Sequence, residues 1–320
     1  VVRRSDQVVD LAIGVAQCGE RSEAWHPSSM PVICHDAEMR IEPVSIKQIE
    51  TKQIETVLCD LDGVVWLAHE PIPGSVEALA ALRAAGRSVV FVTNNSAAMI
   101  AEHEAALQAI GVPAVGDVIS SSVAAALLVQ PGERVLVTGG PGIVEAVESS
   151  GAIAVLNDGT VDGRNGSFDA VLVGLHRDFD YQRLAAAAAA IHCGARLVGT
   201  NSDSTYPTPR GLEPGGGSIL AAVATAGNAV PTIAGKPHAP MAHAIARHLS
   251  TGNAPFDPST AVMVGDRPET DGVMAARIGC RFALVRSGVN GPADDLAGLD
   301  ELVIDFDLPD LAALAALLLA

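Results

Sequence analysis

The sequence predicts an α/β fold in which a parallel sheet is covered by helices on both faces. From Thr56 onward, short continuous apolar runs alternate with alanine-rich stretches of helical period, and the apolar runs end in glycine or polar residues. Continuous apolar strands separated by helices are typical of parallel sheets that are buried on both faces. With 320 residues, 49% of them hydrophobic, the chain is long enough to form a substantial core.

The first part of this pattern predicts two strands, each followed by a helix. TVLCDLDG, which begins at Thr56, reads as a buried strand, and SVEALAALRAAG follows as a helix that ends at Gly86. SVVFVTNNS predicts the next strand, and AEHEAALQAIG predicts a helix that ends at Gly111, because glycine commonly terminates helices. Polar residues at the carboxyl ends of these strands are expected to face a ligand site.

The later part of the chain holds more strand signals than a single sheet usually accommodates. RVLVTGG, DAVLVGL, ARLVGTN and TIAGKP read as strands or strand ends, with the helix DYQRLAAAAAAIHCG among them. AVMVGDRPETD and RFALVRSG add two strand ends around the helical DGVMAARIGC, and LPDLAALAALLLA predicts a docking helix. We therefore expect a core formed by residues 54–134 and 231–320 and an inserted domain at 135–230.

Residues 1–53 show no sustained period and end in the tandem pentapeptides KQIET KQIET, which predicts a flexible N-terminal arm. The arm contains two cysteines and two histidines, but their spacing fits no usual zinc pattern, so no metal is assigned there. The apolar stretch VVDLAIGVAQC is short and is interrupted by Asp10, which argues against a secretory signal.

Charge and cysteine content exclude several classes of partner. The formal net charge is -17, so general electrostatic attraction to nucleic acid or to anionic lipid is not expected. The five cysteines are widely spaced without a C-x-x-C pair, which favours a reducing cytoplasm over a disulfide framework. No apolar run reaches the roughly 18 residues of a membrane span.

Four predicted strand ends carry polar residues that continuous burial does not explain. They are Asp60 with Asp62, TNNS at 93–96, Lys236 in AGKP, and GDRPETD at 265–271. If the strands form one parallel sheet, all four groups converge on the same edge. Each piece alone is weak, since D-x-D occurs in many loops and TNN is typical of a capped helix start. Their combination is what indicates a site.

The combination suits phosphoryl transfer. A carboxylate such as Asp60 can attack phosphorus and form an aspartyl-phosphate. Asp62 can point the same way, because alternate strand residues share a face, and can then act as the general acid and base. Gly63 allows a tight turn beside them. Because the acids and the phosphate repel one another, we expect Mg²⁺ between them, with Asp266 as a further ligand. We expect Thr93 and the amides after it to hold phosphoryl oxygens. Lys236 would neutralise the negative charge, and Asp271 would support Lys236.

In this order, DLDGVVW, VTNNS, AGKP and VGDRPETD resemble the four motifs of the haloacid dehalogenase (HAD) superfamily of aspartate-nucleophile phosphatases. The segment between the second and third motifs, with VGLHRDFDY and GTNSDSTYPTPRGLEPGGGSI, resembles the large cap of the NagD-like branch. That branch includes phosphoglycolate, glycerol 3-phosphate, pyridoxal phosphate and nucleotide phosphatases. The resemblance covers residues 54–308 and implies a Rossmann-like parallel-sheet core with a large inserted α/β cap.

The resemblance also assigns roles to residues at the matching positions. It implies Asp60 as the nucleophile, Asp62 as the acid and base, and Lys236 as the neutralising cation. It makes the cap surface a candidate dimer contact. In the cap loop TNSDSTYPTPRGLEPGGGS, single charged residues are as readily explained by solvation as by selectivity. The further implied or candidate contacts are Thr93, Asn94 and Asn95 for phosphate, Asp60, the Asp62 carbonyl and Asp266 for Mg²⁺, and Asp203, Tyr206 and Arg210 of the cap loop for substrate.

Aromatic residues make up only 3% of the chain, so a platform for stacking a base or a pyridine ring is not evident. This favours a small phosphorylated metabolite, with glycerol 3-phosphate or 2-phosphoglycolate first and pyridoxal phosphate or a nucleotide monophosphate second. Two other classes stay open. One is a phospho-aspartate signalling domain, and the other is a nucleotide-binding module suggested by VTGGPG at 137–142, where no G-x-G-x-x-G is completed.

Overall fold

A computed structural model describes residues 53–165, 167–208, 211–250, 254–288 and 302–320. The predicted N-terminal arm, residues 1–53, lies outside this part of the chain except for its last residue. The strands in the described residues are β1 (Thr56–Cys59), β2 (Trp66–Leu67), β3 (Glu70–Pro71), β4 (Ser88–Thr93), β5 (Val118–Ser120), β6 (Arg134–Thr138), β7 (Ile153–Leu156), β8 (Ala170–Val173), β9 (Arg196–Gly199), β10 (Thr205–Thr208), β11 (Gly211–Pro214), β12 (Thr232–Ile233), β13 (Ala261–Gly265), β14 (Arg281–Val285) and β15 (Phe306–Leu308).

The helices lie between these strands and at the C-terminal end, as the apolar periodicity predicts. A 3-10 turn precedes β13, and a π-helical turn, Pro268–Gly272, follows it. The α-helices of the described residues are α1 (Ser75–Ala84), α2 (Ile100–Ala109), α3 (Ser121–Ala126), α4 (Pro141–Ser149), α5 (Tyr181–His192), α6 (Gly216–Gly227), α7 (Ala239–Leu249), α8 (Val273–Ile278) and α9 (Leu311–Leu319).

The first large sheet has six parallel strands in the order β15-β14-β13-β1-β4-β5. Alternate residues of its strands point to opposite faces. Val57 and Phe91 join a core with α1, α2 and α9, whereas Leu58 and Val90 join a core with α3, α7 and α8. The predicted α/β fold, with a parallel sheet covered on both faces, is therefore confirmed.

The second large sheet has five parallel strands in the order β12-β9-β8-β6-β7. One face packs on α5 and α6 through residues such as Leu136 and Val171. The opposite face shares a core cluster with the six-stranded sheet. All strands of this sheet fall between residues 134 and 233, with β12 just beyond the predicted end of the insertion at 230. Sheet membership supports the predicted insertion, and the domain division itself stays a prediction.

The pairing of β12 corrects the sequence-based expectation for Lys236. TIAGKP was expected to end at the same sheet edge as Asp60, but β12 pairs in parallel with β9 of the five-stranded sheet. This pairing continues past the strand, where the Gly235 amide donates to the Thr200 carbonyl at 2.7 Å. The expectation of four strand ends on one sheet is thus wrong for Lys236, because an apolar run does not show which sheet it will join.

The C-terminal apolar segment forms α9 and packs against α1, with Leu311, Leu314 and Leu318 buried. The predicted docking helix is confirmed. Two short antiparallel pairs, β2 with β3 and β10 with β11, form separate two-stranded sheets. Within the described part of the chain, no helix is both long enough and apolar enough to cross a membrane.

Candidate active site

Three neighbouring strands of the six-stranded sheet end in polar residues at one edge. Asp266 follows β13, Asp60 follows β1 and Thr93 ends β4, and these strands lie side by side in the sheet. All three residues are buried, Asp60 with 9% of its surface exposed and Asp266 with 1%. A cavity of about 620 Å³ opens at this edge. The structure therefore brings these three predicted residues together, as expected for the carboxyl ends of parallel strands.

Lys236 lies between two of the buried carboxylates. Its Nζ is 2.8 Å from Asp60 Oδ1 and 2.7 Å from Asp271 Oδ1, and the lysine itself is only 2% exposed. Burial lowers the pKa of the Lys236 ammonium, but the Asp271 and Asp60 carboxylates outweigh burial and raise that pKa above its ordinary value. Lys236 is therefore a permanent positive charge against the predicted nucleophile.

Asp62 occupies a position suited to proton exchange. It lines the cavity two residues after Asp60, and Trp66 Nε1 donates a hydrogen bond to its Oδ1 at 3.1 Å. Burial raises the pKa of the Asp62 carboxyl to about 6, with a further upward contribution from Asp60, while the bond from Trp66 lowers it. A carboxyl with a pKa near 6 can both give and take a proton close to neutral pH.

Two glycines allow the chain to approach Asp266 closely. Gly63 has a φ of 88°, and a Cβ at this position would lie 2.4 Å from Asp266 Oδ2. A Cβ at Gly288 would lie 2.0 Å from the same oxygen. Any side chain at either position would occupy the space around the Asp266 carboxylate. The tight turn predicted at Gly63 thus serves close packing beside an acid as well as positive φ.

The acids at this edge fit a hard divalent cation. Ligand oxygens of Asp60, Asp266 and Asp271 all lie within 4.8 Å of one another, and all three residues are buried. Oxygen-rich sites of this kind suit Mg²⁺ or Ca²⁺. Lys236 contacts both Asp60 and Asp271, so this contact does not decide which of the acids ligate, and ligation by Asp60 and Asp266 stays a prediction. The Asp62 carboxylate is outside this cluster, and ligation by its main-chain carbonyl stays a prediction.

The turn after β4 is fixed by its own side chains. Thr93 Oγ1 accepts a hydrogen bond from the Asn95 amide, and Asn95 Oδ1 accepts one from the Ala97 amide, each at 3.0 Å. Such local bonds set the direction of successive backbone amides. Thr93 and Asn95 both line the cavity, where phosphate binding by them stays a prediction.

Asn94 also lines the cavity, but its side chain is engaged elsewhere. Asn94 Oδ1 accepts from the Lys236 amide at 2.8 Å, and Asn94 Nδ2 donates to the Lys236 carbonyl at 3.2 Å. The predicted contact between this side chain and phosphate has to compete with those bonds. The structure thus gives Asn94 a partner that sequence reasoning did not foresee.

Two of the three candidate residues of the predicted cap loop reach the cavity. Asp203 and Tyr206 line it, and Arg210 lies outside the described residues. Asp203 Oδ2 accepts from Asn94 Nδ2 at 3.1 Å. Burial raises the pKa of the Asp203 carboxyl, while the nearby Arg267 guanidinium lowers it. Asp203 is therefore a half-buried acid that lines the same cavity as the Arg267 cation.

Sequence reasoning missed two residues of this site, Arg267 and Trp66. Arg267 is half-buried and lines the cavity. Burial lowers the pKa of its guanidinium, but Asp266 and Asp203 raise it, so the side chain lies among acids. Its place directly after Asp266 in GDRPETD was the available signal. For Trp66, the available signal was its position four residues after Asp62 in DLDGVVW, where an indole donor can lie within reach of the carboxylate.

Comparison with known proteins identifies the family. A model described as haloacid dehalogenase-like hydrolase matches residues 57–153, and a second model, described as HAD-hydrolase-like, matches residues 233–313. D-glycerol 3-phosphate phosphatase of Mycobacterium tuberculosis is 38% identical over 246 residues, which are 75% of this chain and 65% of that protein. The 5'-nucleotidase YutF of Bacillus subtilis is 33% identical over 242 residues, which are 74% of this chain and 89% of that protein.

Solved structures agree with this assignment. The glycerol phosphate phosphatase of M. tuberculosis in complex with magnesium matches with a TM-score of 0.71 and 34% identity, over 82% of this chain and 77% of that chain. NagD from Escherichia coli K-12 matches with a TM-score of 0.68 and 25% identity, over 81% of this chain and 97% of that chain. The chain belongs to the haloacid dehalogenase-like hydrolases, within their NagD-like branch, and the predicted resemblance is confirmed.

Proposed function

We propose that this protein is a Mg²⁺-dependent phosphomonoester hydrolase that works through an aspartyl-phosphate on Asp60. One observation carries the proposal: Asp60, Lys236 and Asp62 meet at the edge of one cavity, as a carboxylate, a buried ammonium and a carboxyl with a pKa of about 6. This set supplies a nucleophile, a positive charge and a proton donor. Membership of the haloacid dehalogenase-like hydrolases supports the same chemistry.

In the first half-reaction, an Asp60 oxygen attacks phosphorus while the bond between phosphorus and the ester oxygen breaks. Asp60 Oδ1 accepts from the Leu61 amide at 2.8 Å and contacts Lys236 Nζ, so we assign the attack to Oδ2. The departing ester oxygen takes a proton from Asp62 and leaves as an alcohol. Lys236 remains charged throughout and stabilises the negative charge on the phosphoryl oxygens.

In the second half-reaction, the oxygen of a water molecule attacks the same phosphorus. Asp62, now a carboxylate, takes the proton of this water, and the bond between phosphorus and Asp60 breaks. Inorganic phosphate leaves, and both carboxyl groups return to their starting states. The Trp66 indole holds the Asp62 carboxyl in one orientation for both proton transfers.

The cation would be held by Asp60, Asp266 and the Asp62 carbonyl. Bound Mg²⁺ supplies positive charge that lets acids and a phosphate share one small volume. The closely packed Gly63 and Gly288 keep Asp266 against this position. That glycerol phosphate phosphatase of M. tuberculosis has been solved with magnesium supports the choice of ion.

The substrate we propose is a small phosphorylated metabolite, first glycerol 3-phosphate or 2-phosphoglycolate. Among the described residues that line the cavity, Tyr206 is the one aromatic side chain, so a ring would find no stacking pair. Asp203 and Arg267 offer hydrogen bonds to hydroxyl or carboxylate groups instead. Pyridoxal phosphate or a nucleotide monophosphate is the second choice, the latter favoured by the similarity to a 5'-nucleotidase.

We also propose that the protein is located in the cytoplasm and has no nucleic acid or membrane partner. A homodimer that forms through the inserted domain is a further proposal.

The nucleotide-binding alternative rested on VTGGPG, and the structure gives these glycines another use. A Cβ at Gly142 would lie 2.0 Å from the Ala98 carbonyl oxygen, and the Gly142 amide donates to the Ala97 carbonyl at 3.1 Å. The glycines therefore let α4 pack on the loop that follows β4. A phospho-aspartate signalling domain has no need for an acid such as Asp62 beside its phosphoacceptor, which favours the hydrolase.

Phosphate release tests this proposal directly. The full chain is incubated with glycerol 3-phosphate, 2-phosphoglycolate, pyridoxal phosphate and nucleoside monophosphates, with Mg²⁺ and then with excess chelator. The expected result is turnover concentrated on one small phosphate and abolished by the chelator. Turnover that survives complete removal of the metal, or no turnover of any member by folded protein with Mg²⁺, would contradict the proposal.

A further inference from the structure

We infer that Asn94 is a positioning residue that fixes the main chain of Lys236 and makes the place of this lysine depend on the 200–204 loop. The inference deepens the proposed function and rests on it, because it concerns the cation of the same reaction. It gives Asn94 a role in holding the lysine instead of the phosphate-binding role expected from the sequence. The evidence is a set of hydrogen bonds around a single amide side chain.

The Asn94 side chain bonds both polar groups of the Lys236 main chain. Asn94 Oδ1 accepts from the Lys236 amide at 2.8 Å, and Asn94 Nδ2 donates to the Lys236 carbonyl at 3.2 Å. An amide side chain in this arrangement acts as one residue of a β-ladder, with a donor and an acceptor facing the same partner. Two bonds fix the orientation of the lysine backbone as well as its position.

The approach of these two segments explains the glycine in AGKP. A Cβ at Gly235 would lie 2.5 Å from Asn94 Oδ1 and 2.5 Å from the Thr200 carbonyl oxygen. A residue with a side chain could not sit there while Asn94 reaches Lys236. The glycine before the lysine is therefore required by the close approach of Asn94 and of the Thr200 carbonyl together.

Lys236 needs such support because it follows a strand of one sheet while its side chain contacts acids that follow strands of the other sheet. It follows β12 of the five-stranded sheet, yet its Nζ contacts Asp60 and Asp271, which follow or lie beyond strands of the six-stranded sheet. A main-chain shift of about 1 Å would break contacts of 2.8 and 2.7 Å. Asn94, which directly follows β4 of the six-stranded sheet, ties the lysine backbone to the sheet that carries the nucleophile.

The 200–204 loop completes the arrangement. Asp203 Oδ2 accepts from the same Asn94 Nδ2 that bonds the lysine, at 3.1 Å. Asn201 Nδ2 donates to the Asn94 main-chain carbonyl at 2.7 Å, and Asn201 is buried. The loop follows β9 of the five-stranded sheet. Asn94 is thus held in one orientation when this loop is docked, and the lysine is held by Asn94.

This linkage makes the chemistry conditional on docking of the loop. With the loop in place, Asn94 presents its amide to Lys236, and the ammonium lies between Asp60 and Asp271. Without the loop, Asn94 loses its bonds to Asp203 and Asn201, so only its two bonds to the Lys236 main chain hold its side chain. Phosphoryl transfer is then fastest when the 200–204 loop, which lines the cavity, is also in place.

The test compares Asn94→Ala with Asn165→Ala, which removes an equal amide from an exposed turn where it bonds Asp162. Steady-state phosphate release from glycerol 3-phosphate with Mg²⁺ gives kcat and KM for both variants and the parent. We expect Asn94→Ala to lower kcat about 100-fold with KM changed less than about threefold, as for misplacement of a catalytic group. A raised KM at unchanged kcat would mean that Asn94 contacts substrate, and a kcat equal to that of the control variant would remove its role.

Asp203 variants test the dependence on the loop. Asp203→Asn retains an oxygen acceptor for Asn94 Nδ2, whereas Asp203→Ala removes it. We expect Asp203→Ala to lower kcat about tenfold and Asp203→Asn to lower it less. In the Asn94→Ala background, Asp203→Ala should lower kcat by less than a further factor of about two, because both changes remove the same hydrogen bond between Asn94 and Asp203. Fully multiplicative effects of the two changes would overturn the linkage.

A crystal structure of Asn94→Ala separates this inference from the proposed function. We expect the Lys236 Nζ to lie outside hydrogen-bond distance of Asp60 Oδ1 or of Asp271 Oδ1 in that variant. An unmoved lysine would refute the positioning role whatever the activity. If the parent protein releases no phosphate from any substrate, the hydrolase proposal fails, and the position of Lys236 in the variant still decides the role of Asn94.

Discussion

The two large sheets are both parallel, but the side chains at the carboxyl ends of their strands differ in charge. At the carboxyl edge of the six-stranded sheet, the buried residues include the charged Asp60 and Asp266. In the five-stranded sheet, the carboxyl ends of β6, β7 and β9 carry Thr138, Asn157 and Thr200, which are completely buried and neutral and are called the neutral edge here. Lys236, beyond β12 of the same sheet, instead reaches the acids of the six-stranded sheet. Strand pairing and helix cover do not distinguish the two edges. The difference shows that the site resides in the residues placed at strand ends and not in the fold.

The neutral edge is held by hydrogen bonds between neutral groups, one of which reaches Ser96 beyond β4 of the six-stranded sheet. Asn157 Nδ2 donates to Thr138 Oγ1 at 3.0 Å, and the hydroxyls of Thr200 and Ser96 are 2.9 Å apart. Buried charges also need a partner of opposite charge, since an isolated ion in a protein interior is strongly unfavourable. At the charged edge a buried lysine and a cation-binding set of acids meet this need. These same charges are the ones that phosphoryl transfer uses.

The largest expected effect comes from removing the nucleophile at the charged edge. Asp60→Asn keeps the shape of the side chain but removes the attacking carboxylate, so kcat should fall at least about 10⁴-fold. Phosphate release measures the effect, and circular dichroism with thermal unfolding controls for the fold. Activity close to that of the parent would show that Asp60 does not form the covalent intermediate.

The next effect concerns the cation. Asp266→Asn removes one ligand charge, and kcat should fall about 100-fold or more. Because a cation that binds only the native state stabilises it by about 2.7 kcal/mol at 100 times its Kd, Mg²⁺ should raise the unfolding temperature of the parent. Asp266→Asn should lose most of that increase. An equal Mg²⁺-dependent increase in both proteins would place the ion elsewhere.

A smaller effect is expected from the residue that orients the proton donor. Trp66→Phe keeps the buried ring but removes the indole donor of the 3.1 Å bond to Asp62 Oδ1. A hydrogen bond to a charged group accounts for about tenfold in rate, so kcat should fall by about this factor with little change in KM. Paired measurements of kcat and KM decide the matter, and a change confined to KM would argue against orientation of Asp62.

The smallest effect on activity is expected at the neutral edge. Asn157→Ala removes the bond to Thr138 and another to the Arg183 carbonyl, at 2.8 Å. The free energy of unfolding should fall by about 1 to 2 kcal/mol, with kcat of the folded protein changed less than about twofold. Urea unfolding and phosphate release test both parts. A large loss of kcat without loss of stability would mean that the two edges are not chemically distinct in function.

Local patterns in the sequence were sufficient for much of the fold and for most of the site. The apolar run ahead of Asp60 predicted β1, and the alanine-rich stretch after Asp180 predicted α5, because burial of an apolar face dictates both periods. Asp60, Thr93 and Asp266 converge as parallel strands require. The sheet of Lys236 was misjudged, since the pairing of a two-residue strand depends on a partner more than 30 residues away.

The sequence by itself determined which chemical groups this protein has and their order: two acids after the first strand, a hydroxyl after the next, a lysine and a final acid pair. These follow from side-chain identity and from residues adjacent in the chain. Only the tertiary structure decided that Asn94 bonds Lys236, that Trp66 bonds Asp62 and that Arg267 faces the cavity. Such contacts depend on how segments distant in the chain pack together. A hydrogen bond requires its two atoms to be about 3 Å apart, and the order of residues in the chain does not specify that separation.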